Sequence, residues 1–190
     1  MWPWEHIAVG YLLYSGYVHL RDGESPTAAA SLAVIVGALF PDLVDKPLAW
    51  TFDVLQSGVS LAHSVFTALA LTAVVTALGL RGRRDVAAGF SVAYLAHLPA
   101  DALYPALLGD GLTVRAFFWP LVTLPGTASR GFVENFAYYA VTFLDFLGTP
   151  RGMLFLGLEV TLLGTAFAVW LLDGCPGLVD LRSRRSPEVE

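Results

Sequence analysis

Ala93-Tyr-Leu-Ala-His97-Leu-Pro-Ala-Asp101-Ala-Leu-Tyr104 is apolar except for one imidazole and one carboxylate, at positions i and i+4. On a helix that spacing puts His97 and Asp101 on one face. An ionisable group in apolar surroundings is costly unless it has a partner or a task. Two tasks fit. Asp101 can accept a hydrogen bond from His97, or the two can ligate a metal ion, since neutral imidazole and carboxylate are ordinary ligands for zinc-like ions.

The wider composition sets the surroundings of that helix. Of 190 residues, 56% are hydrophobic and 14% charged, with mean hydropathy +0.63. A soluble domain carries about 25% charged residues. The chain therefore reads as an all-α integral membrane helical bundle. A single domain spans residues 1–172, followed by a polar tail at 173–190. Met1-Trp-Pro-Trp-Glu5 has no basic n-region, so the start is expected to be retained. Cys175 is the single cysteine, which excludes an intramolecular disulfide and a cysteine metal site. Net charge is −5 with no basic stripe, so nucleic acid is not an expected partner.

Five apolar stretches read as spans: His6 to Leu20, Thr27 to Phe40 after Pro26, Ser60 to Leu80, Val86 to Tyr104, and Met153 to Leu172. Seven is the alternative count. Gly37-Ala-Leu-Phe-Pro41-Asp42-Leu-Val-Asp45 is expected to end the second helix, and Leu48 to Gly58 to connect it to the third. Phe132 to Leu147 has aromatic residues at helical spacing and reads as an amphipathic helix against the bundle or in the interface.

Arg81, Arg83 and Arg84 form the densest basic loop, which places it in the cytoplasm. The Arg182, Arg184 and Arg185 tail then falls on the same side. His6, Asp42, Asp45, His63, His97 and Asp101 all fall toward the outer face, near helix ends, while His19 lies at the opposite end of its helix. Three imidazoles and three carboxylates are what a mono- or dinuclear hydrolytic metal site requires. Structural His–Asp pairing and a proton or ion relay in a transporter remain the other readings.

In this order and spacing the residues resemble the YdjM-like inner-membrane proteins, a family described as membrane-bound metal-dependent hydrolases. The resemblance rests on Glu5-His6, Gly37-Ala-Leu-Phe-Pro41-Asp42-Leu-Val-Asp45, Ala62-His63-Ser64, His97-Leu-Pro-Ala-Asp101 and Phe118-Trp119-Pro120, within residues 1–125. That family is distantly similar to zinc-dependent phospholipases C and single-strand nucleases. The resemblance implies a metal held by Asp42, His63, His97 and Asp101, with Asp101 bridging to a second ion that His6 also holds. It implies one or two divalent ions, most simply zinc, and metal-activated hydrolysis of a phosphoester in a lipid or lipid-linked substrate. Asp45 is then a base or a partner behind a ligand. The chain departs from the pattern in the wider Asp42–Asp45 spacing and in Ser60-Leu-Ala before His63. It also lacks the second His-x-x-x-acid pair of the soluble zinc enzymes.

Overall fold

The computed structural model describes residues 1–79, 81–122, 124–126 and 131–178. Among the described residues six α-helices follow one another: α1 (Pro3–Asp22), α2 (Ala28–Trp50), α3 (Val65–Gly79), α4 (Arg84–Leu108), α5 (Phe132–Leu147) and α6 (Pro150–Leu172). A single 3-10 turn covers Arg115–Phe118, and no strand occurs among the described residues. The expected tail beyond residue 178, with Arg182, Arg184 and Arg185, lies outside the described residues.

Among the described residues three helices, α2, α4 and α6, are long and apolar enough to cross a membrane, and α3 is a shorter apolar helix. Exposed Leu32, Val36, Leu69, Val74, Leu158, Val160 and Phe167 give their outer faces the apolar surface that suits lipid rather than water. The 16-residue α5 packs through aromatic edges, with Trp2 against Phe136 and Phe143, and Phe143 and Phe146 against Phe155 of α6.

The most extensive helix pair is α2 with α4. Small residues make that closeness possible, because without a hydrophobic drive between helices in lipid the gain comes from backbone-to-backbone approach. Gly37 of α2 lies so close to the Phe90 carbonyl of α4 that a Cβ would collide with it. Around this seam Tyr11, Tyr14, Val18, Ala30, Val34, Ala38 and Ala93 form the buried core of α1, α2 and α4.

Polar residues pin one end of the bundle. Thr27 Oγ1 accepts from the Ala30 amide at 3.2 Å, capping α2, and donates to Asp85 Oδ2 of α4 at 2.7 Å. Asp173, just past α6, accepts from Tyr11 and Ser15 hydroxyls and pairs with His19, each at 2.7 Å. Burial opposes its charge, but these three partners outweigh it and lower the Asp173 pKa below the usual 3.8. A depressed carboxyl pKa contributes stability that is present above about pH 4 and declines as acid protonates the folded form. His19 is thus a tie between α1 and the end of α6, remote from the other histidines in its contacts.

Three boundaries differ from the sequence reading. Pro41-Asp42 does not end α2, which continues through Pro47 to Trp50, and α4 passes Pro99 and Pro105 to reach Leu108. Neighbouring helices and side chains can satisfy the carbonyls that proline leaves free, so these prolines are tolerated inside packed helices. Consequently Asp42, Asp45, His97 and Asp101 sit within helices, not at their ends. Asp101 lies seven residues, about 10 Å of helix, before the last residue of α4. The stretch from Ser60 to Ser64 is also irregular, with α3 beginning only at Val65.

Gly37→Ala should lower thermal stability by about 1–3 kcal/mol, since neither backbone can yield easily. Gly16→Ala, in open space on α1, should be neutral or stabilising by up to about 1 kcal/mol. Thermal unfolding of both variants in one detergent checks the contrast. Equal effects would contradict the close α2–α4 contact.

Candidate metal centre

The irregular segment before α3 is held by a single carboxylate. Asp45, fully buried on α2, accepts from the backbone amides of Ser60 at 2.8 Å, Ala62 at 2.9 Å and His63 at 3.2 Å. It also bonds His63 Nδ1 at 2.8 Å. Tyr94 of α4 donates to the Ala62 carbonyl at 2.7 Å, and Ser64 donates to the Trp119 carbonyl at 2.6 Å. These contacts deliver His63 to a fixed place beside α2 and α4, although no helix carries it.

His97 is fixed from the other direction. Pro41 has no amide hydrogen and loosens the turn of α2 before it. In that turn the Ala38 carbonyl lies 2.7 Å from His97 Nδ1. A carbonyl only accepts, so His97 Nδ1 carries the hydrogen. The Asp45 carboxylate likewise accepts from His63 Nδ1. In the neutral rings both Nε2 atoms then present bare lone pairs, and they face each other at 3.2 Å.

Two carboxylates aim at the same place. Asp101 Oδ2 lies 3.2 Å from His97 Nε2 and 3.4 Å from His63 Nε2, and Asp42 Oδ1 lies 3.5 Å from His63 Nε2. The atoms of Asp42, His63, His97 and Asp101 fall within 4.8 Å of one another and form a group that could hold a metal ion. Four acceptors turned on one point are unfavourable without a cation. A proton on one ring serves one acceptor at a time, whereas a metal ion serves all four. The spacing fits as well, because a four-coordinate ion with bonds near 2.0–2.1 Å sets its ligand atoms about 3.3 Å apart.

Unmet hydrogen-bonding capacity adds to the fit. Asp42 Oδ1 and Oδ2 are buried without a hydrogen-bond donor. Lys46 Nζ is only 2.6 Å from Asp42 Oδ2, yet the contact lacks hydrogen-bond alignment and is an ion pair alone. His6 has both ring nitrogens buried without an aligned hydrogen bond. Its ring stacks on His97 with centroids 3.7 Å apart, and its Nε2 lies 3.1 Å from Asp101 Oδ1. The Met1 amine approaches that same oxygen at 2.6 Å.

All six residues singled out from the sequence thus meet in one place. Asp42, His63, His97 and Asp101 form the group, His6 flanks it at Asp101, and Asp45 stands behind His63. The sequence reading did not single out Lys46, the Ala38 carbonyl or the Met1 amine. Lys46 had a visible signal, since it lies one turn from Asp42 at i+4. The Ala38 carbonyl had none, because backbone acceptors carry no residue signature. Glu159 of α6 accepts from Trp4 Nε1 of α1 at 2.6 Å and so pairs the two helices.

The model of the family described as YdjM inner membrane protein matches residues 1–173. The chain belongs to that family. The match extends past the motif-bearing first 125 residues through α5 and α6, so both helices belong to the family's domain. Family and apolar helices together make this a membrane protein. No curated protein and no solved structure matches the chain.

Asp45→Asn should weaken ion binding about 10–100-fold while the protein stays folded, the size expected for loss of a carboxylate behind a ligating histidine. His19→Ala should leave ion affinity unchanged. Zinc titration of the two purified variants checks this, and equal affinities would contradict the role of Asp45 in placing His63.

Proposed function

We propose that this YdjM family protein is a membrane-bound metal-dependent hydrolase acting on a phosphoester of a lipid or lipid-linked substrate. The observation that carries the reading is the convergence of His63 Nε2, His97 Nε2, Asp42 Oδ1 and Asp101 Oδ2 on one buried point. A structural His–Asp network would alternate donors with acceptors, whereas with both rings neutral four acceptors face one another here. The all-nitrogen-and-oxygen set, with two imidazoles, favours zinc among the common divalent ions.

Each residue then has a part. Asp42, His63, His97 and Asp101 would hold the ion. Asp45 and the Ala38 carbonyl fix the tautomers of the two histidines, so that both Nε2 atoms stay free for ligation. His6 and Asp101, with Nε2 and Oδ1 3.1 Å apart, would hold a second ion. When bound, such an ion supplies Lewis acidity and brings the pKa of a water down from 15.7 toward about 7. Placing the centre inside a membrane bundle puts it within reach of lipid substrates and keeps bulk water scarce around it.

The account also keeps the five-span arrangement, adding α1 and α3 to the three longest apolar helices, with the centre toward the outer face. The basic loop Arg81 to Arg84 starts α4 at the opposite end from Asp101, which with the positive-inside rule supports that orientation. With Cys175 replaced, a cysteine near Gly109 should react with an impermeant thiol reagent in intact cells. One near Arg83 should react only after permeabilisation. The reverse pattern would put the centre on the cytoplasmic side.

Asp101→Asn separates an enzyme from a scaffold. It keeps size and one hydrogen-bonding oxygen but removes the negative charge. A structural pair should tolerate the change at about 1 kcal/mol. A bridging ligand should not, because the shared anion that offsets the cations is lost. Expected are a folded protein, release of at least one ion, and loss of hydrolysis across a panel of phosphodiester and phosphomonoester lipids. A wild-type protein inactive on the whole panel, with ion content and stability unchanged in Asp101→Asn, would overturn the hydrolase reading.

A further inference from the structure

Lys46 is the single lysine of the chain, and it stands beside the metal group. Its Nζ lies 2.6 Å from Asp42 Oδ2, while Asp42 Oδ1 faces His63 Nε2 at 3.5 Å. One carboxylate therefore separates the lysine from the point where the four ligand atoms meet. An ammonium carries three donors, and the contact with Asp42 Oδ2 takes up at most one of them. Lys46 is also the more open member of the pair, with its side chain 25% exposed against 9% for Asp42. Its ammonium lies over the Trp50 ring, 5.8 Å from the centroid, which restrains the long stem.

Charge makes this position consequential. Asp42, Asp45 and Asp101 bring three negative charges to the centre. With the Met1 ammonium at Asp101 counted, a single divalent ion brings them to neutrality and gives an anionic substrate no net attraction. Lys46 adds one positive charge at the more open edge. Among the described residues no other lysine or arginine side chain pairs with these carboxylates. A phosphate-type group has several equivalent oxygens. One can approach the ion while another accepts from the lysine, so the two cations read one tetrahedral anion.

We propose that Lys46 binds the anionic phosphoryl oxygens of the substrate beside the metal centre and thereby selects phosphoesters over neutral esters. This rests on the metal-centre reading above. The probe is inorganic phosphate, titrated calorimetrically into zinc-loaded protein, with zinc content measured on the same samples. The comparison is among wild type, Lys46→Met and Lys46→Arg. Lys46→Met removes the charge but keeps an unbranched stem over Trp50.

Wild type is expected to bind phosphate. Lys46→Met should bind it at least about tenfold more weakly at unchanged zinc content, the loss expected for a hydrogen bond from a charged donor. Lys46→Arg should restore most of the affinity. Equal phosphate affinity in wild type and Lys46→Met would overturn the proposal. So would zinc lost together with phosphate in Lys46→Met, since the lysine would then act by holding Asp42. Zinc-loaded wild type that binds no phosphate would overturn the role of Lys46 while leaving the metal centre standing. Wild type that takes up no zinc would overturn the metal reading and this proposal with it.

Discussion

Two histidine Nε2 atoms facing each other at 3.2 Å inside an apolar bundle are the constraint on which the rest of the structure turns. Nothing in the backbone requires this meeting. It is imposed by two hydrogen bonds on the far sides of the rings, to Asp45 and to the Ala38 carbonyl. Each bond fixes a tautomer, and each costs the protein a buried polar group that must itself be satisfied. Asp45 shows how fully that is done: its carboxylate takes three backbone amides besides the imidazole. Asp45 meets His63 at Nδ1, across the ring from the Nε2 that faces the centre, which favours the positioning role over that of a base.

The helix packing can be understood as serving this point. Small residues let α2 and α4 approach until Gly37 meets the Phe90 backbone, and the same approach brings Ala38 against His97. Prolines inside both helices do not end them, because the packed neighbouring helices hold the chain on either side. At the opposite end of the bundle, Asp85 and Asp173 tie α1, α2, α4 and α6 together without any part in the centre. The chain thus separates structural polar contacts from the group that could hold an ion.

Much of this was legible in the residues alone. The i, i+4 spacing of His97 and Asp101 needs only helical geometry to be read, and the hydropathy pattern gives an all-helical membrane chain. Parity of the apolar stretches was enough to send six ionisable residues to one region. Helix ends were less legible, because Pro41 and Pro47 carry a local stop signal that tertiary packing overrides. His63 was misplaced at the head of a helix, since the carboxylate that holds its loop acts across 18 positions of sequence. The ordering of ligand and supporting carboxylate was also hidden. Asp42 and Asp45 lie three residues apart on one helix, and only the position of His63 tells which of them turns to the centre.

Family membership places the chain among inner membrane proteins and leaves its chemistry to the site. The claim that the site exists to hold an ion is tested most directly by zinc X-ray absorption on the purified, zinc-loaded protein. The account predicts a first shell of nitrogen and oxygen at about 2.0–2.1 Å, with the outer-shell scattering of at least two imidazoles. His97→Ala should remove one of them. A shell containing sulfur from Cys175, or one without imidazole, would contradict the account.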